Sequence, residues 1–245
     1  SRGLGDVYKR QMLAWVEYPT WHPKIDRAHR DKLVAEYTEM SHHDGDHPSV
    51  ILRSITCETG PSADLDVIRE LYDLLKRRCP ATLVVDDSSW IGWNRIHDFW
   101  DDHSYGNNRT WREALASFQK HIDTHGVKPL LLGEAIAADT WIDPTELPAA
   151  GGAAAWWLPG WLDEQRRFER KLRRRFGGAG YDPVADLRAC SLKYAMDMRR
   201  WQIETYRHQM PHSGYVVSTV QDVTLCAMGL LDSLGRPKWS ASDWA

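Results

Sequence analysis

Four cysteines in 245 residues is a low count, and Cys57, Cys79, Cys190 and Cys226 stand far apart with no CxxC among them. That spacing argues against a structural zinc site and leaves the compartment open between the cytoplasm and secretion. Basic charge is not in excess either: 31 Lys and Arg face 34 Asp and Glu, a formal charge of −3. Nucleic acid is therefore not expected as a partner. The one basic run, Arg166 to Arg175, falls on a helical pattern, where a solvated face accounts for it. No apolar stretch approaches the ~20 residues that a membrane-spanning helix needs, so no membrane is expected. No glycine-rich loop follows any strand-like run, which counts against nucleotide-binding folds, and no cofactor is expected.

Tryptophan, by contrast, is abundant at thirteen residues. Such side chains fill cores and interfaces, and they also suit stacking on sugar rings. The length is that of one sizeable core, a single domain or a large piece of one. Residues 1 to 11 (SRGLGDVYKRQ) lack apolar periodicity, read as a non-native leader and are set aside from the fold. MLAWVEYP, which follows, already reads as a strand in mid-domain, so Met12 is not expected to be the biological start. RPKWSASDWA closes the chain without a helix terminator, and truncation is expected there too.

Residues 12 to 245 alternate apolar strand-like runs with helical patterns, the signature of parallel α/β architecture. Strands are expected at Met12–Pro19, Val50–Thr56, Ala81–Asp86, Ile96–His103, Pro129–Gly133 and Gly214–Val220. Between them lie helical patterns at Arg30–Met40, Asp64–Arg78, Thr110 to near Gly126, Trp161–Phe176 and Pro183–His208. Asp64 is placed to cap its helix, with Leu65, Ile68, Leu71, Tyr72 and Leu75 on one face. Thr110 and Glu113 have the spacing of a capping box, ahead of a face made by Trp111, Leu115, Phe118 and Ile122. Residues 139 to 160, rich in Ala, Gly and Pro and carrying Trp141, Trp156 and Trp157, are longer than an ordinary connection and read as a substrate-lining or lid segment.

Two of the strands end on an acid. HPSVILRSITCE delivers Glu58 and KPLLLGEA delivers Glu134. The carboxyl end of an apolar strand is where a (β/α)8 barrel keeps its chemistry. HPSVILRSITCE resembles the acid/base strand of glycoside hydrolase family 2, and KPLLLGEA resembles that family's nucleophile strand. MLAWVEYP, DFWDDHSYGN and the closing QIE, GY, DV, GLLD and RPK pattern agree in the same order. The resemblance implies an incomplete TIM barrel, about strands 3 to 8, with the family's preceding domains and first two strands outside this chain. It implies a retaining, exo-acting β-glycosidase with Glu58 as general acid/base and Glu134 as nucleophile, acting on a carbohydrate. Such an acid/base needs a pKa raised toward neutrality, which burial near a second carboxylate can supply. The resemblance also places His103 and Tyr105 in an H-x-Y pair, with the tyrosine near the nucleophile. Asp87, Trp90, Trp93, Asp98 and Asp101 are candidates to line the sugar pocket, Trp141 is a candidate stacking platform, and Glu17 is a possible substrate contact at an earlier strand end.

The chain departs from the family pattern at two positions. Cys57 stands where the family has an asparagine that bonds the sugar 2-hydroxyl, and a thiol is a weak donor. Arg53 replaces a more usual tryptophan. Cys57 motivates an alternative reading, a non-catalytic carbohydrate-binding remnant of the same fold. A further alternative is a metal-dependent TIM-barrel hydrolase, since His97, Asp98, Asp101, Asp102 and His103, and the earlier His42, His43, Asp44, Asp46 and His47, are metal-ligand types. The earlier group precedes a strand at its N-terminal end and reads as a polar turn. The sugar, its linkage and the oligomeric state are left open, and the chain by itself is expected to be inactive and marginally folded, with unpaired strand edges.

Overall fold

The computed structural model describes residues 13–19, 21–22, 24–143, 161–223 and 226–244. Trp156, Trp157 and the leader lie outside them. Among the described residues the architecture is mixed α/β with six strands, β1 (Ala14–Glu17), β2 (Val50–Cys57), β3 (Leu83–Ser88), β4 (Trp100–His103), β5 (Leu130–Ala135) and β6 (Gly214–Val217). Five α-helices accompany them among the same residues, α1 (Arg30–Asp44), α2 (Leu65–Arg78), α3 (Trp111–His125), α4 (Leu162–Phe176) and α5 (Pro183–Gln209). No helix among the described residues is long and apolar enough to cross a membrane. Two compact units emerge, one of residues to Ser104 with Ala114–Gly133 and His212–Tyr215, the other of Tyr105–Glu113, Glu134–Pro211 and Val216 onward.

In the first unit β1, β2 and β3 form a parallel sheet, with Glu17 opposite Ser54 and Cys57 opposite Ser88. A second sheet runs in the order β4-β5-β6. Among the described residues no hydrogen-bonded ladder joins β3 to β4, and no closed barrel is shown. Ahead of β4, the Asp98 N–H reaches the Val84 carbonyl at 2.8 Å while its own carboxylate accepts the Val84 N–H at 2.8 Å. A loop residue and its side chain thus occupy the hydrogen-bonding positions of a paired strand. For the same reason the strand expected over Ile96–His103 begins only at Trp100, with His97 making one isolated antiparallel bridge to Val85.

The core of this unit packs α1 and α2 on the first sheet. Leu33, Tyr37 and Ser41 recur every fourth residue and are the buried stripe of α1. Tyr37, Ile55, Ile68, Leu71 and Val84 meet in one apolar cluster, each aliphatic residue contributing ~1.5–3 kcal/mol by leaving water. Asp64 caps α2, accepting the N–H groups of Asp66 and Val67. Leu65 is exposed, and Val67 and Leu74 join the inward face. Helix α1 runs four residues beyond the expected Met40, so His42 and His43 lie in its last turn rather than in a polar turn. Arg53 explains the extension: its buried guanidinium lies 2.8 Å from Asp44, the last helical residue.

In the second unit Asp182 caps α5, with Pro183 as its first residue, and takes a two-point contact from Arg173 of α4 at 3.1 and 3.2 Å. Arg199 and Gln202 of α5 hold the chain segments that follow the strands. Arg199 donates to the carbonyls of Ile136 (3.3 Å), Ser218 (3.2 Å) and Met228, and Gln202 donates to Gly106 (2.6 Å) and Ala137 (3.4 Å). Ahead of α3 the cap is Asn107 rather than a box of Thr110 with Glu113. Its side chain accepts the N–H groups of Arg109 and Thr110, and the Thr110 hydroxyl turns back to the Asn107 N–H.

Candidate functional site

Each unit carries one of the two glutamates. In the first, the β2 backbone ends at Cys57 and Glu58 turns sharply out of the strand with φ +49°. A non-glycine residue in this region is strained and persists only when its surroundings hold it. The Glu58 N–H donates to the Ser88 carbonyl at 3.0 Å. Asp87 fastens the next two residues, accepting the N–H of Thr59 at 3.0 Å and of Gly60 at 3.2 Å. Gly60 has φ +75° and lies against the Trp93 ring, where a Cβ would come within 3.3 Å.

Two donors grip the Glu58 carboxylate. The Trp21 indole N–H donates to Oε2 at 2.8 Å, and His103 Nδ1 lies 3.0 Å from Oε1. Burial pushes the Glu58 carboxyl up, but the bonds from Trp21 and His103 and the charges of His103 and His22 outweigh it and hold the pKa below its ordinary value. This is opposite to the expected elevation. The physical reason is that the pocket meets the carboxylate with hydrogen-bond donors and imidazoles, each of which stabilises the charged form.

His103 is 3% exposed and its second nitrogen, Nε2, lies 2.9 Å from the Ser88 hydroxyl and 3.7 Å from Asp101. Asp101 is fully buried and accepts N–H groups from Ser89 at 3.0 Å and Gly133 at 2.8 Å. Burial pushes its carboxyl up to about 7, against the pull of the His103 charge and of the Gly133 and Ser88 bonds. Cys57 is buried, with its Sγ within 4.8 Å of a His103 ring nitrogen. Trp90 is partly exposed, 4.6 Å from the Trp93 ring and 6.2 Å from the His103 ring. Two other candidates are engaged in the scaffold. The Asp98 carboxylate takes Tyr72 at 2.5 Å and Lys76 at 2.8 Å, and Asp102 accepts the Ile91 N–H at 2.9 Å. Glu17 lies exposed at the end of β1.

In the second unit Glu134 stands one residue before the end of β5, and the Tyr105 phenol donates to its Oε2. Burial first, and then the bond to Glu134 and its charge, raise the Tyr105 pKa and keep it a donor. Ile136, two residues on, has φ +49°. Arg199, fully buried, grips its carbonyl; burial lowers the guanidinium pKa to about 10 against the charges of Asp222 and Asp139. Lys238 donates to Asp222 (2.7 Å), Thr140 (2.7 Å) and the Ala227 carbonyl (2.8 Å), fixing the segment beyond β5. Trp141 donates its indole N–H to Glu169 at 2.8 Å and lines a cavity of about 430 Å³ with Arg188, Asp222, Arg236 and Lys238.

Trp21, Ser88, Arg199 and Gln202 escape a reading of the sequence. Gln202 alone lay within a recognised motif, the QIE of the closing pattern. Of the metal-ligand types noted in the first unit, the His97 ring lies tilted against Trp100 with centroids 3.9 Å apart and Asp98 binds Lys76, and no three of His97, Asp98, Asp101, Asp102 and His103 gather as a ligand set among the described residues.

No protein-family model matches the chain, and no curated protein sequence matches it. Solved structures do. The β-glucuronidase of Bifidobacterium dentium, complexed with coumarin-3-O-glucuronide, superposes with a TM-score of 0.63 at 16% identity over 98% of this chain and 37% of that one. That of Parabacteroides merdae gives 0.59 at 16% identity, over 95% and 29%. A β-glucuronidase of an uncultured Clostridium gives 0.57 at 12% identity, over 98% and 40%. The chain thus has the fold of part of these glycosidases and spans about a third of their length.

Proposed function

We propose that this chain is the later part, about strands 3 to 8, of a TIM-barrel catalytic domain of glycoside hydrolase family 2 type. Its reaction is the hydrolysis of a terminal β-linked sugar with retention of configuration. Glu134 is the nucleophile and Glu58 the general acid/base, a division of labour that requires their carboxyl groups about 5 to 5.5 Å apart. The observation that carries the reading is that both glutamates sit at strand ends and each is held by hydrogen-bond donors, Glu58 by Trp21 and His103, Glu134 by Tyr105. The likeness to β-glucuronidases supports the same reading and makes a glucuronide the first substrate to try.

The grip on Glu58 bears on the mechanism. Held below its ordinary pKa, Glu58 is in the charged form that activates water in the second half of the reaction. For the first half it must carry a proton. A leaving-group oxygen that takes the place of the Trp21 N–H removes one donor that favours the carboxylate, and burial under the bound sugar then raises the proton affinity. Tyr105 keeps Glu134 oriented for attack on the anomeric carbon. Asp87, Trp93 and Asp101 shape the pocket through the Glu58 turn and His103, and Asp98 serves the scaffold. Trp90, Trp141 and Glu17 are offered as sugar contacts.

A longer chain containing this sequence, assayed on nitrophenyl β-glycosides, is expected to turn over with retention seen by proton NMR. Glu134→Gln is expected to abolish turnover, while EDTA leaves it unchanged. Loss of activity on chelation and its return with zinc would establish the metal-dependent alternative instead. Cys57, buried in the asparagine position, favours a second reading, a carbohydrate-binding remnant. Oligosaccharide binding without any turnover by the longer chain would establish that one.

A further inference from the structure

Helix α4 lines a cavity of about 560 Å³ in the second unit with residues of a single face, Trp161 at its N-cap and then Glu164, Gln165 and Phe168 at helical spacing. Asp139 and Trp141 reach the same cavity from the segment after β5, and Cys226 and Ala227 from the segment after β6. Three aromatic side chains, Trp141, Trp161 and Phe168, thus border one space. The Trp141 and Phe168 rings have centroids 5.5 Å apart and planes 55° apart, so they form two walls of a corner. The volume is that of a small-molecule site, roughly 300–1,000 Å³.

These walls are fastened in place. The Trp141 indole N–H donates to Glu169 at 2.8 Å, and Gln165 donates to Glu169 at 3.0 Å and to the Ile142 carbonyl at 2.6 Å. Glu169 is itself buried. Asp139 accepts the Ala227 N–H at 3.0 Å, and the Thr140 N–H donates to the Ala227 carbonyl at 3.0 Å.

Charge around the cavity has one sign. Among the described residues that line it the acids are Asp139 and Glu164, both exposed to solvent, and no lysine or arginine stands with them. Basic residues elsewhere in the unit are engaged: Arg166 with Asp163, Arg173 with Asp182, Arg188 with Asp143 and Glu169, and Lys238 with Asp222. Arg199 is spent on backbone carbonyls. Cys226 responds to the same field. Burial first raises its thiol pKa, and the charges of Asp139 and Asp222 add to the rise against a backbone bond from Met228 and the Lys238 charge, which keeps the thiol neutral.

We propose that this cavity binds an organic cation, a substituted ammonium group carried by a small molecule. The site rests on no part of the reaction proposed above. The negative faces of aromatic rings attract a cation, most strongly when the contact is withdrawn from water. Methyl or methylene groups on the nitrogen pack against the rings, and the positive charge answers Asp139 and Glu164. An anion would meet two carboxylates and no base to pair with. A neutral apolar molecule would use the rings and leave the acids without a counter-charge.

The test is a titration of the 245-residue chain with choline chloride, at an ionic strength held constant with sodium chloride and followed by the ¹H–¹⁵N indole resonances of Trp141 and Trp161. The comparison ligand is 3,3-dimethylbutan-1-ol, in which a neutral tert-butyl group replaces the trimethylammonium group. Choline is expected to shift both indole resonances along a saturable curve and to bind at least about 5-fold more tightly than the alcohol. Trp161→Leu keeps an apolar side chain without the ring face and is expected to bring the two affinities together. Glu164→Gln is expected to weaken choline by about 2- to 5-fold and to leave the alcohol unchanged. Amide spectra establish that each variant is folded; if Trp161→Leu does not fold, the wild-type ratio and Glu164→Gln, at an exposed position, decide. Equal affinity for the two ligands, a choline titration that leaves the Trp141 and Trp161 resonances in place, or choline binding that Glu164→Gln does not weaken overturns the cation site.

Discussion

Trp21 and Glu58 lie 37 residues apart in sequence and meet through an indole N–H donated to a carboxylate at 2.8 Å. The backbone on both sides of that bond is strained: Glu58 has φ +49°, and His22, next to Trp21, has φ +50°. Residues in such conformations concentrate where a side chain must be aimed. Here the aimed side chain is a carboxylate, and its partner is an indole that is 63% exposed.

Trp21→Phe keeps an aromatic ring and removes the donor. The folded pKa of Glu58 lies below its unfolded value, so the stability it contributes is present above the unfolded value and is lost as the pH falls through the folded one. The variant is expected to raise the Glu58 pKa, read from the side-chain carboxyl ¹³C shift, and to lose about 1 kcal/mol at pH 7 in urea. The deficit should shrink as the solution is acidified. A deficit of equal size at every pH would show that Trp21 contributes by packing alone.

Gly133 lies just before Glu134 and has no room for a side chain. A Cβ there would come 2.7 Å from Asp101 Oδ1, 3.0 Å from Trp15 Cη2 and 3.1 Å from Ser88 Oγ. Asp101 and Ser88 are buried, and Trp15 is tied by its indole N–H to Ser54 at 2.7 Å. Gly133→Ala is expected to destabilise the chain by roughly 2–3 kcal/mol, as overpacking does, and to move the His103 ring resonances. A urea midpoint within error of wild type would mean that this interior is loose.

Lys238 and Asp222 form a pair with 7% and 1% of their side chains exposed. Lys238→Met leaves a buried carboxylate whose remaining donor among the described residues is the Gly229 N–H at 2.8 Å, at a cost of about 3–5 kcal/mol. Burial already raises the Asp222 pKa against the pull of Lys238. An acid with a raised folded pKa contributes stability below its unfolded value and loses it as the pH rises through the folded one. The variant's deficit should therefore be larger at pH 8 than at pH 5, and adding Asp222→Asn should recover part of it. Equal deficits at both pH values would show that Asp222 in the variant does not change its protonation between them.

The elements that a local pattern specifies could be read from the sequence: the strands ending at Glu58 and Glu134, the Asp64 cap, and the buried face of Trp111, Leu115, Phe118 and Ile122. Contacts between distant segments could not. Arg199 sits in a helix full of charges, where nothing local marks it as the buried one, and its partner Ile136 is 63 residues away. Asp98 looks like a pocket acid at a strand end, yet it completes the hydrogen bonds of Val84. Arg53 looked like a change near the site, and its charge fastens the end of α1. In each case the residue type could be read, but the partner that decides its role could not.

His97 makes the first unit sensitive to acid. Burial, and then the Lys128 charge, lower its pKa to about 4. A histidine with a lowered folded pKa contributes stability above its unfolded value of about 6.5, and that stability is lost as the pH falls through the folded value. With solvent screening at this half-exposed ring the effect is about 1–2 kcal/mol between pH 6.5 and 4. His97→Phe keeps a ring against Trp100 and should flatten this part of the stability curve. If the variant and the wild type lose stability in parallel below pH 6, another group carries the acid response.

Tyr105 provides a direct test of the role proposed for Glu134. Its phenol is kept protonated by burial and by Glu134, so at neutral pH it can only donate to that carboxylate. Tyr105→Phe removes the donor and leaves the ring in place. If Glu134 is the nucleophile, a longer active chain carrying the variant should lose about 100-fold in kcat, the scale expected for removal of one preorganised donor. The loss should appear in the first step, with slow bond cleavage even for a good leaving group, while KM changes little. Nitrophenyl and alkyl glycosides separate the two steps. A variant that lost affinity while keeping kcat would show that Tyr105 binds sugar and does not orient Glu134.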